Sequence, residues 1–277
     1  MSDSKKIKMV KLFDAMWQDY LKLNPDAQAI YTLFSHQNTV VNDHIALRTF
    51  NLPAVNINTL ARPLLANGYV AAGDYQFINK KLVAQHFQHT DPALPKVFIS
   101  ELLVEQFSAE LQSTITGLID QLTPQMIGAD NFLHSGRPWQ LSYRTYQQLL
   151  SESEYAAWVA AFGYRPNHFT VSVNHLAQFS TLEAVNRTLL ESGFKMNSVN
   201  GLIKGSRAVG LQQSSTLANK TEVVFSDFTV NIPSCFYEFA LRHKVDHKTS
   251  SSDGELFNGF VADSADKIFE STDVKFA

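Results

Sequence analysis

The chain of 277 residues is 45% hydrophobic and 18% charged, and its formal net charge is −3 at neutral pH. This composition excludes a disordered or fibrous chain, and the small negative charge gives no electrostatic reason to expect nucleic acid or an anionic membrane as a partner. One cysteine excludes an internal disulfide framework and a cysteine-based zinc cluster, as expected for a protein of a reducing compartment.

The predicted elements begin with helices in residues 1–40. Val10, Phe13, Trp17 and Leu21 fall on one stripe of this segment, which indicates an amphipathic helix rather than a signal peptide. No later segment approaches the roughly 18 consecutive apolar residues that span a bilayer. We therefore expect a cytoplasmic protein without a membrane partner.

A strand–helix–strand–strand–strand pattern occupies residues 41–104. Asp43–Phe50 predicts a strand, and Asn58–Asn67 predicts a helix that Gly68 closes. Alternation of apolar and polar residues predicts the three strands that follow, at Tyr69–Phe77, Lys81–His89 and Pro95–Val104.

The same pattern recurs at residues 167–245, after a mostly helical insertion at 105–166. The predicted elements of this second copy are a strand at Asn167–Asn174, a helix at Thr181–Ser192, and strands at Phe194–Ser198, Arg207–Gln213, Glu222–Ser226 and Ser234–His243. The sequence therefore predicts a single α+β domain over residues 1–277. Two βαβββ modules build it, and residues 246–277 form a C-terminal closing segment.

Three of these strands carry candidate metal ligands. Side chains alternate across a strand, so His44 shares a face with Arg48, and His168 begins a face that is wholly polar. Glu238 interrupts an aromatic strand, where a carboxylate is costly unless it is paired, protonated or bound to a metal. Two histidines and one glutamate suit a divalent first-row metal and resemble the ligand triad of non-haem Fe(II) oxygenases.

Further residues near this set leave alternatives open. Arg48 could grip a substrate carboxylate with two parallel hydrogen bonds. Glu101 takes the place in the first module that Glu238 takes in the second, so it could be a fourth ligand, a hydrogen-bonding partner of a ligand, or an ion-pair partner. His86 and His89 are predicted to face solvent. Histidine and glutamate on strands follow no compact spacing rule, so a structural role for each candidate also remains open.

Four segments carry a resemblance to a known family: Asp43–Phe50, Asn167–Thr170, Phe236–Ala240 and Ser264–Ser271. Over nearly its whole length the chain resembles the 2-oxoadipate dioxygenase/decarboxylase family, also called 2-hydroxyglutarate synthase. The segment Asp-His-Ile-Ala-Leu-Arg-Thr at the start of the first strand is the most specific part of this likeness. This chain resembles the compact members of the family, whereas others carry inserted segments.

The resemblance implies a vicinal-oxygen-chelate-like fold, in which the paired modules form a curved sheet or barrel around a metal. It implies an enzyme of lysine catabolism that converts 2-oxoadipate, or a close 2-oxo acid, with O2 to 2-hydroxyglutarate and CO2. The residues implied are His44, His168 and Glu238 for Fe(II), Arg48 as the catalytic residue that holds the substrate, and Asp263 and Ser264 in a stretch that closes over it.

Two alternatives remain open at this point. Another metalloenzyme of the same fold, such as an isomerase, an epimerase or an extradiol dioxygenase, would use Zn, Ni, Mn or Fe and could recruit Glu101. A non-catalytic module could bind a small acid without consuming oxygen, because a fold alone does not determine function. Metal content and oxygen consumption distinguish these alternatives.

Overall fold

The computed structural model describes residues 3–36, 39–245 and 255–268. Of the predicted closing segment, residues 246–254 and 269–277 therefore lie outside the described residues. Two helices begin the chain, α1 (Asp3–Leu21) and α2 (Pro25–Ser35). Within the described ranges, no helix is both long enough and apolar enough to cross a bilayer.

The first copy of the repeat folds as the sequence pattern predicts. Its elements are β1 (Asn42–Phe50), α3 (Ile57–Leu65), β2 (Tyr69–Phe77), β3 (Leu82–His89) and β4 (Lys96–Leu102). Asn56 caps α3 by accepting a hydrogen bond from the Thr59 backbone N–H, which satisfies one donor that the first helical turn leaves unpaired. Four helices follow before the second copy: α4 (Ala109–Ile119), α5 (Pro124–Ile127), α6 (Tyr143–Glu152) and α7 (Glu154–Phe162).

The second copy contains additional strands. Its elements are β5 (Pro166–Ser172), α8 (Leu182–Glu191), β6 (Lys204–Ser206), β7 (Leu211–Ser215), β8 (Lys220–Val224), β9 (Thr229–Pro233) and β10 (Phe236–Arg242), and α9 (Ala262–Ile268) follows. Within the described residues, eight strands form one curled sheet in the order β2-β3-β4-β1-β5-β10-β7-β6. The predicted α+β class with a curved sheet is confirmed.

Two strands of the second copy differ from the prediction. The predicted strand Glu222–Ser226 overlaps β8. This strand pairs with β9 in a hairpin that is separate from the main sheet. Phe225, next to β8, packs against the rings of Tyr143 and Tyr146, with ring centroids 5.4 Å apart in both pairs. Alternation predicts a strand here, but it cannot tell which layer of the protein the strand covers.

The predicted strand Phe194–Ser198 is also not part of the main sheet. Met196 makes a single bridge to Thr216, and the edge position is taken by β6 instead. Gly193 and Gly201, which lie before and after this segment, have φ values of 88° and 95°, which L-residues rarely adopt. These turns interrupt the chain, so a continuous strand cannot extend through the segment.

The apolar face of the central strand β5 is covered by α1. The Phe169 ring centroid lies 4.9 Å from that of Trp17 and 5.1 Å from that of Tyr20. The buried stripe of α1 includes Phe13 and Tyr20, whereas Val10 is 41% exposed, so this stripe differs from the predicted one. Each large apolar side chain buried in this layer contributes about 1.5–3 kcal/mol. Covering this face of β5 leaves its polar face turned toward a cavity on the other side of the sheet.

Gly163 provides a test of the link between α7 and β5. Its φ of 68° and ψ of −145° lie in a region that is accessible almost only to glycine, and a Cβ there would overlap the Gly136 backbone. We predict that Gly163→Ala lowers the free energy of unfolding by about 2–4 kcal/mol. Urea denaturation measures this change.

The matched control is Gly117→Ala, on the exposed side of α4, where an added Cβ meets nothing within 4 Å. Alanine has the higher helix propensity, so this variant should gain up to about 1 kcal/mol. Equal stability of the two variants would contradict the assigned strain at Gly163.

Candidate metal centre

The structure brings the three predicted ligand residues together. His44 lies on β1, His168 on β5 and Glu238 on β10, which are adjacent strands of the sheet. One ligand atom from each lies within 4.8 Å of the others. The His44 Nε2 atom is 3.5 Å from Glu238 Oε1, and the His168 Nε2 atom is 3.3 Å from Glu238 Oε2. All three side chains are buried.

The residue that precedes each histidine fixes the orientation of its ring. His44 Nδ1 lies 2.8 Å from Asp43 Oδ1, and His168 Nδ1 lies 3.0 Å from Asn167 Oδ1. These oxygens are acceptors, so each Nδ1 carries the proton and each Nε2 keeps a lone pair. The Thr170 hydroxyl lies 3.0 Å from His44 Nε2 and donates to it. Metal-binding histidines likewise hold one nitrogen in a hydrogen bond and bind the ion with the other. At His44 an ion would take the Nε2 lone pair that now accepts from Thr170.

The electrostatics of the centre favour a cation. Burial lowers the pKa of His168 well below its ordinary value, and the nearby His44 and Arg48 lower it further, so this imidazole is neutral. Burial raises the pKa of Glu238. The nearby His44 and a 2.6 Å hydrogen bond from Gln213 Nε2 lower this pKa and offset part of the rise. An ion placed among these atoms would offset the cost of burying the carboxylate. Two imidazole nitrogens and a carboxylate therefore fit a divalent first-row metal.

The cavity around this centre is small. Its volume is about 30 Å³, which is room for about one water molecule. Ala46, Phe98 and Phe260 form an apolar wall, while Arg48 and Ser100 contribute polar groups. Little water can therefore accompany the three candidate ligands.

Arg48 lines the same cavity as His44, as the alternation along β1 predicts. Its side chain is 1% exposed, and its guanidinium carbon lies 5.0 Å from the Tyr155 ring centroid and 5.1 Å from that of Trp158. The Nη1 atom is 3.4 Å from Glu154 Oε1. Contacts with aromatic faces hold the planar guanidinium in a defined orientation, which suits recognition of a carboxylate.

Glu101 does not lie at the metal centre, so the proposed equivalence with Glu238 is wrong. In the second module, Glu238 pairs with Thr170. Ala46 takes the position of Thr170 in the first module, and the residue that pairs with it is Phe98. Glu101 is three residues beyond Phe98 and has the opposite parity. Its carboxylate accepts a 2.8 Å hydrogen bond from the backbone N–H at the start of α3, so it stabilises that helix instead of binding a metal or a metal ligand.

The predicted substrate residues Asp263 and Ser264 lie outside the cavity wall. Asp263 is exposed, and Ser264 is buried near Gly205 of β6. The reason is that the chain turns into α9 directly after Phe260, and α9 packs against the β6 edge. Phe260 is the residue of this segment that lines the cavity, and no sequence feature singled it out.

His86 was predicted to face solvent, but it is 2% exposed and lies beside the site. It pairs in register with Phe98, and its ring centroid is 5.2 Å from that of Phe260. Its parity with Leu82 and Ala84, both buried, is the signal that could have revealed this position. His89 is half-buried against the Tyr69 ring, so its predicted exposure is also wrong.

The sequence also did not identify Gln213, which holds the Glu238 carboxylate. Gln212 precedes it, and alternation indicates that one of these two residues faces the cavity without indicating which one. The pairing of β7 with β10 decides the matter, because Gln213 lies opposite Ala240, two residues from Glu238. Only the strand register could provide this information.

Comparison with known proteins gives a consistent result. The family model for 2-oxoadipate dioxygenase/decarboxylase matches residues 7–129 and 126–250. The chloroplastic 2-oxoadipate dioxygenase/decarboxylase of Arabidopsis thaliana is 34% identical over 91% of this chain and 74% of its own length. A crystal structure of hydroxyglutarate synthase from Oryza sativa in complex with 2-oxoadipate has a TM-score of 0.92 at 32% identity, covering 100% of this chain and 95% of the other.

Two further structures are similar. A protein of Shewanella frigidimarina, provisionally described as a hydrolase, is 55% identical with a TM-score of 0.87, covering 92% of this chain and 98% of the other. A protein of Ralstonia eutropha assigned to the glyoxalase superfamily has a TM-score of 0.76 at 20% identity, covering 92% of this chain and 86% of the other. At that identity the likeness concerns the fold alone, and it agrees with the predicted vicinal-oxygen-chelate-like architecture.

His86 provides a test of the electrostatics beside the centre. Burial lowers its pKa from 6.5 to about 4, and Lys96 and Arg242 add to the effect. The unfolded chain therefore takes up a proton before the folded protein does as the pH falls. The stability that neutral His86 contributes is complete above pH 6.5 and is lost as the pH falls to about 4.

We predict that His86→Gln reduces the loss of stability across this pH window by about 1–3 kcal/mol relative to the unchanged protein. Urea denaturation at a series of pH values measures the slope. His175→Gln is the control, since this histidine is exposed, and it should keep the unchanged slope. An unaltered slope in His86→Gln would contradict the predicted protonation of His86.

Proposed function

Because the chain belongs to the 2-oxoadipate dioxygenase/decarboxylase family, we propose that it binds Fe(II) through His44, His168 and Glu238 and uses O2 to convert 2-oxoadipate, or a close 2-oxo acid, to 2-hydroxyglutarate and CO2. The observation that carries the proposal is the convergence of these three buried side chains, with ligand atoms within 4.8 Å of one another. The complex of the rice relative with 2-oxoadipate supports the choice of substrate.

The proposed reaction breaks the bond between the carboxylate carbon and the keto carbon of the oxo acid. The carboxylate carbon leaves as CO2. One atom of O2 completes a new carboxylate at the former keto carbon, and the other is inserted into a C–H bond of the adjacent carbon to form the hydroxyl group. O2 is the four-electron oxidant, so atoms and electrons balance. When bound, Fe(II) would supply a Lewis-acidic centre with open positions for the oxo acid and O2. The protein's own residues hold the two imidazole ligands and the carboxylate ligand in a fixed orientation, bind the substrate and exclude water.

Residues around the ligands orient them for this task. Asp43 and Asn167 hold the two Nδ1 protons, so both Nε2 atoms point inward as lone-pair donors. Gln213 donates to one oxygen of Glu238 and thereby limits rotation of the carboxylate. Such partners commonly affect metal affinity by about 10- to 100-fold.

The apolar wall of the cavity contributes by excluding water. Ala46, Phe98 and Phe260 present no hydrogen-bonding side-chain groups, and the space between them and the ligands is close to that of one water molecule. Excluding water strengthens the electrostatic interactions within the site and limits side reactions of the oxygen chemistry. This property suits an enzyme that activates O2.

Arg48 is the residue that we propose to hold the far carboxylate of the substrate. It shares the cavity with His44 and is buried between Tyr155 and Trp158, so its charge acts in a medium of low dielectric constant. A diacid that binds the metal with its oxo-acid end and Arg48 with its other end would be held at two points. This arrangement predicts a preference for a dicarboxylic 2-oxo acid.

The test of the function is an oxygen-electrode screen of 2-oxo acids with protein reconstituted with Fe(II) under anaerobic conditions. We expect uptake of O2 with 2-oxoadipate and formation of equal amounts of CO2 and 2-hydroxyglutarate. His44→Ala and Glu238→Ala should lose iron and lower the turnover by more than about 100-fold, because each removes a ligand.

The exposed His175→Ala variant is the control, and it should keep both iron and activity. Full oxygen uptake by His44→Ala would show that the proposed centre is wrong. Protein that binds 2-oxoadipate but takes up no O2 would instead support the alternative of an acid-binding module. Protein purified with another metal, and active with it, would support a different metalloenzyme of this fold.

Arg48→Lys tests recognition of the far carboxylate. Lysine keeps the charge but lacks the planar fork of donors, so KM for 2-oxoadipate should rise by about 10- to 100-fold with a smaller change in kcat. The control substrate is 2-oxohexanoate, which has the same chain length without the far carboxylate. Its KM should be nearly the same for both proteins, and an equal rise for both substrates would count against the assigned role.

A further inference from the structure

Arg242 connects the candidate metal centre to the segment that covers it. Its Nε and Nη2 atoms donate to the two carboxylate oxygens of Asp43 at 2.7 and 2.8 Å. Its Nη1 atom donates to the backbone carbonyls of Phe257 and Gly259 at 2.9 and 2.8 Å. The side chain is 6% exposed, so these bonds form largely out of water. One guanidinium therefore joins the neighbour of His44 to a distant part of the chain.

That part of the chain is the closing strap, which we define as residues 256–260. Besides the bonds to Arg242, the Phe257 N–H donates to the His243 carbonyl at 2.9 Å, and the Asn258 amide donates to Gln88 at 2.8 Å. The strap is thus attached by a few hydrogen bonds, of which the one from Asn258 to Gln88 lies at the surface. Such a segment can open locally at a much lower cost than the core.

Phe260 at the end of the strap covers the centre. Its ring centroid lies 4.8 Å from that of His44 in an edge contact, and 5.0 Å from that of Phe98. The Arg242 guanidinium carbon lies 5.4 Å from the Phe260 ring centroid, and the Phe260 N–H donates to the Tyr75 hydroxyl at 3.1 Å. A 2-oxo acid is many times larger than the one-water space that remains. The wall of the cavity must therefore open before such an acid reaches the ligands. Of the residues that line it, Phe260 is the one that does not lie on a strand of the main sheet, so it is the part of the wall that can move.

Movement of the strap changes the surroundings of His44. Asp43 Oδ1 accepts from both His44 Nδ1 and Arg242 Nη2, each at 2.8 Å. When the strap opens, Arg242 loses the two carbonyls that fix its plane, and Asp43 loses a rigid partner. The orientation of the His44 ring then has less support.

We propose that Arg242 is a positioning residue that couples closure of the cavity by Phe260 to the orientation of His44. Shutting the strap and fixing the ring of this ligand are then one event. The proposal rests on the metal centre of the proposed function, but it does not depend on the identity of the substrate. By thermodynamic linkage, metal binding must favour the closed strap as much as the closed strap favours metal binding.

The first experiment measures exchange of Co(II), a coloured probe for sites of this type, with the full chain. We compare Phe260→Ala with Leu256→Ala, which shortens an exposed side chain of the same strap. Because the Phe260 ring covers the ligands, Phe260→Ala should raise the Co(II) binding and release rates by the same factor, about tenfold, and leave Kd nearly unchanged. Leu256→Ala should keep the original rates.

The second experiment uses Arg242→Lys, which keeps a cation beside Asp43 but cannot serve both Asp43 oxygens and two carbonyls. It should raise the Co(II) exchange rates, weaken Kd by about tenfold and alter the visible spectrum of the bound ion. Adding Phe260→Ala to this variant should change the rates little further, because the strap is already released. Fully additive effects would overturn the coupling.

The third experiment needs no variant and covers the case in which Arg242→Lys does not fold. Hydrogen exchange of the Phe257 and Phe260 amides in the unchanged protein should slow by about tenfold on adding Co(II). Unaltered exchange of these amides, or unaltered Co(II) rates in Phe260→Ala, would overturn the proposal.

The outcomes separate this inference from the proposed function. If Co(II) exchange is coupled as described but the protein takes up no O2, the role of Arg242 stands and the proposed function is wrong. If the protein oxidises 2-oxoadipate but the Co(II) exchange rates of Phe260→Ala are unaltered, the proposed function stands and the role of Arg242 is wrong. Protein that binds no Co(II) would overturn both.

Discussion

Burial of three donor atoms on adjacent strands is the constraint on which the rest of this structure depends. The Nε2 atoms of His44 and His168 and the Glu238 carboxylate are removed from water and face one another within 4.8 Å. Lone pairs and a carboxylate gathered in this way are costly without a cation. The surroundings reduce this cost, because Asp43 and Asn167 hold the imidazole protons on the outer side of each ring.

The two modules share an architecture but contribute unequally to the centre. The first copy places Phe98 where the second has Glu238, so it contributes no carboxylate ligand at this position. It also places Arg48 where the second copy has Ser172, which gives one end of the cavity wall a buried cation. Repetition of the βαβββ unit thus supplies a pair of facing histidines, and divergence between the copies turns a symmetric frame into a site with two different ends.

The sequence by itself determined the class of fold, the pairing of the modules and the candidate ligands. These features depend on local alternation, which states which side chains share a face of a strand. They also depend on the segments around His44, His168 and Glu238, which resemble the family that the comparisons then identified. The polar face of β5 was predictable for the same reason, since an apolar face must be covered by another layer, here α1.

Tertiary structure decided what alternation leaves open. Alternation gives relative sides along one strand, but it gives neither the register between strands nor the layer that covers a face. Register separated Glu101 from the site and chose Gln213 over Gln212. Packing buried His86 and brought Phe260 over the ligands from a segment far along the chain. Contacts between residues distant in sequence depend on how strands pair and layers stack, and no local pattern encodes that arrangement.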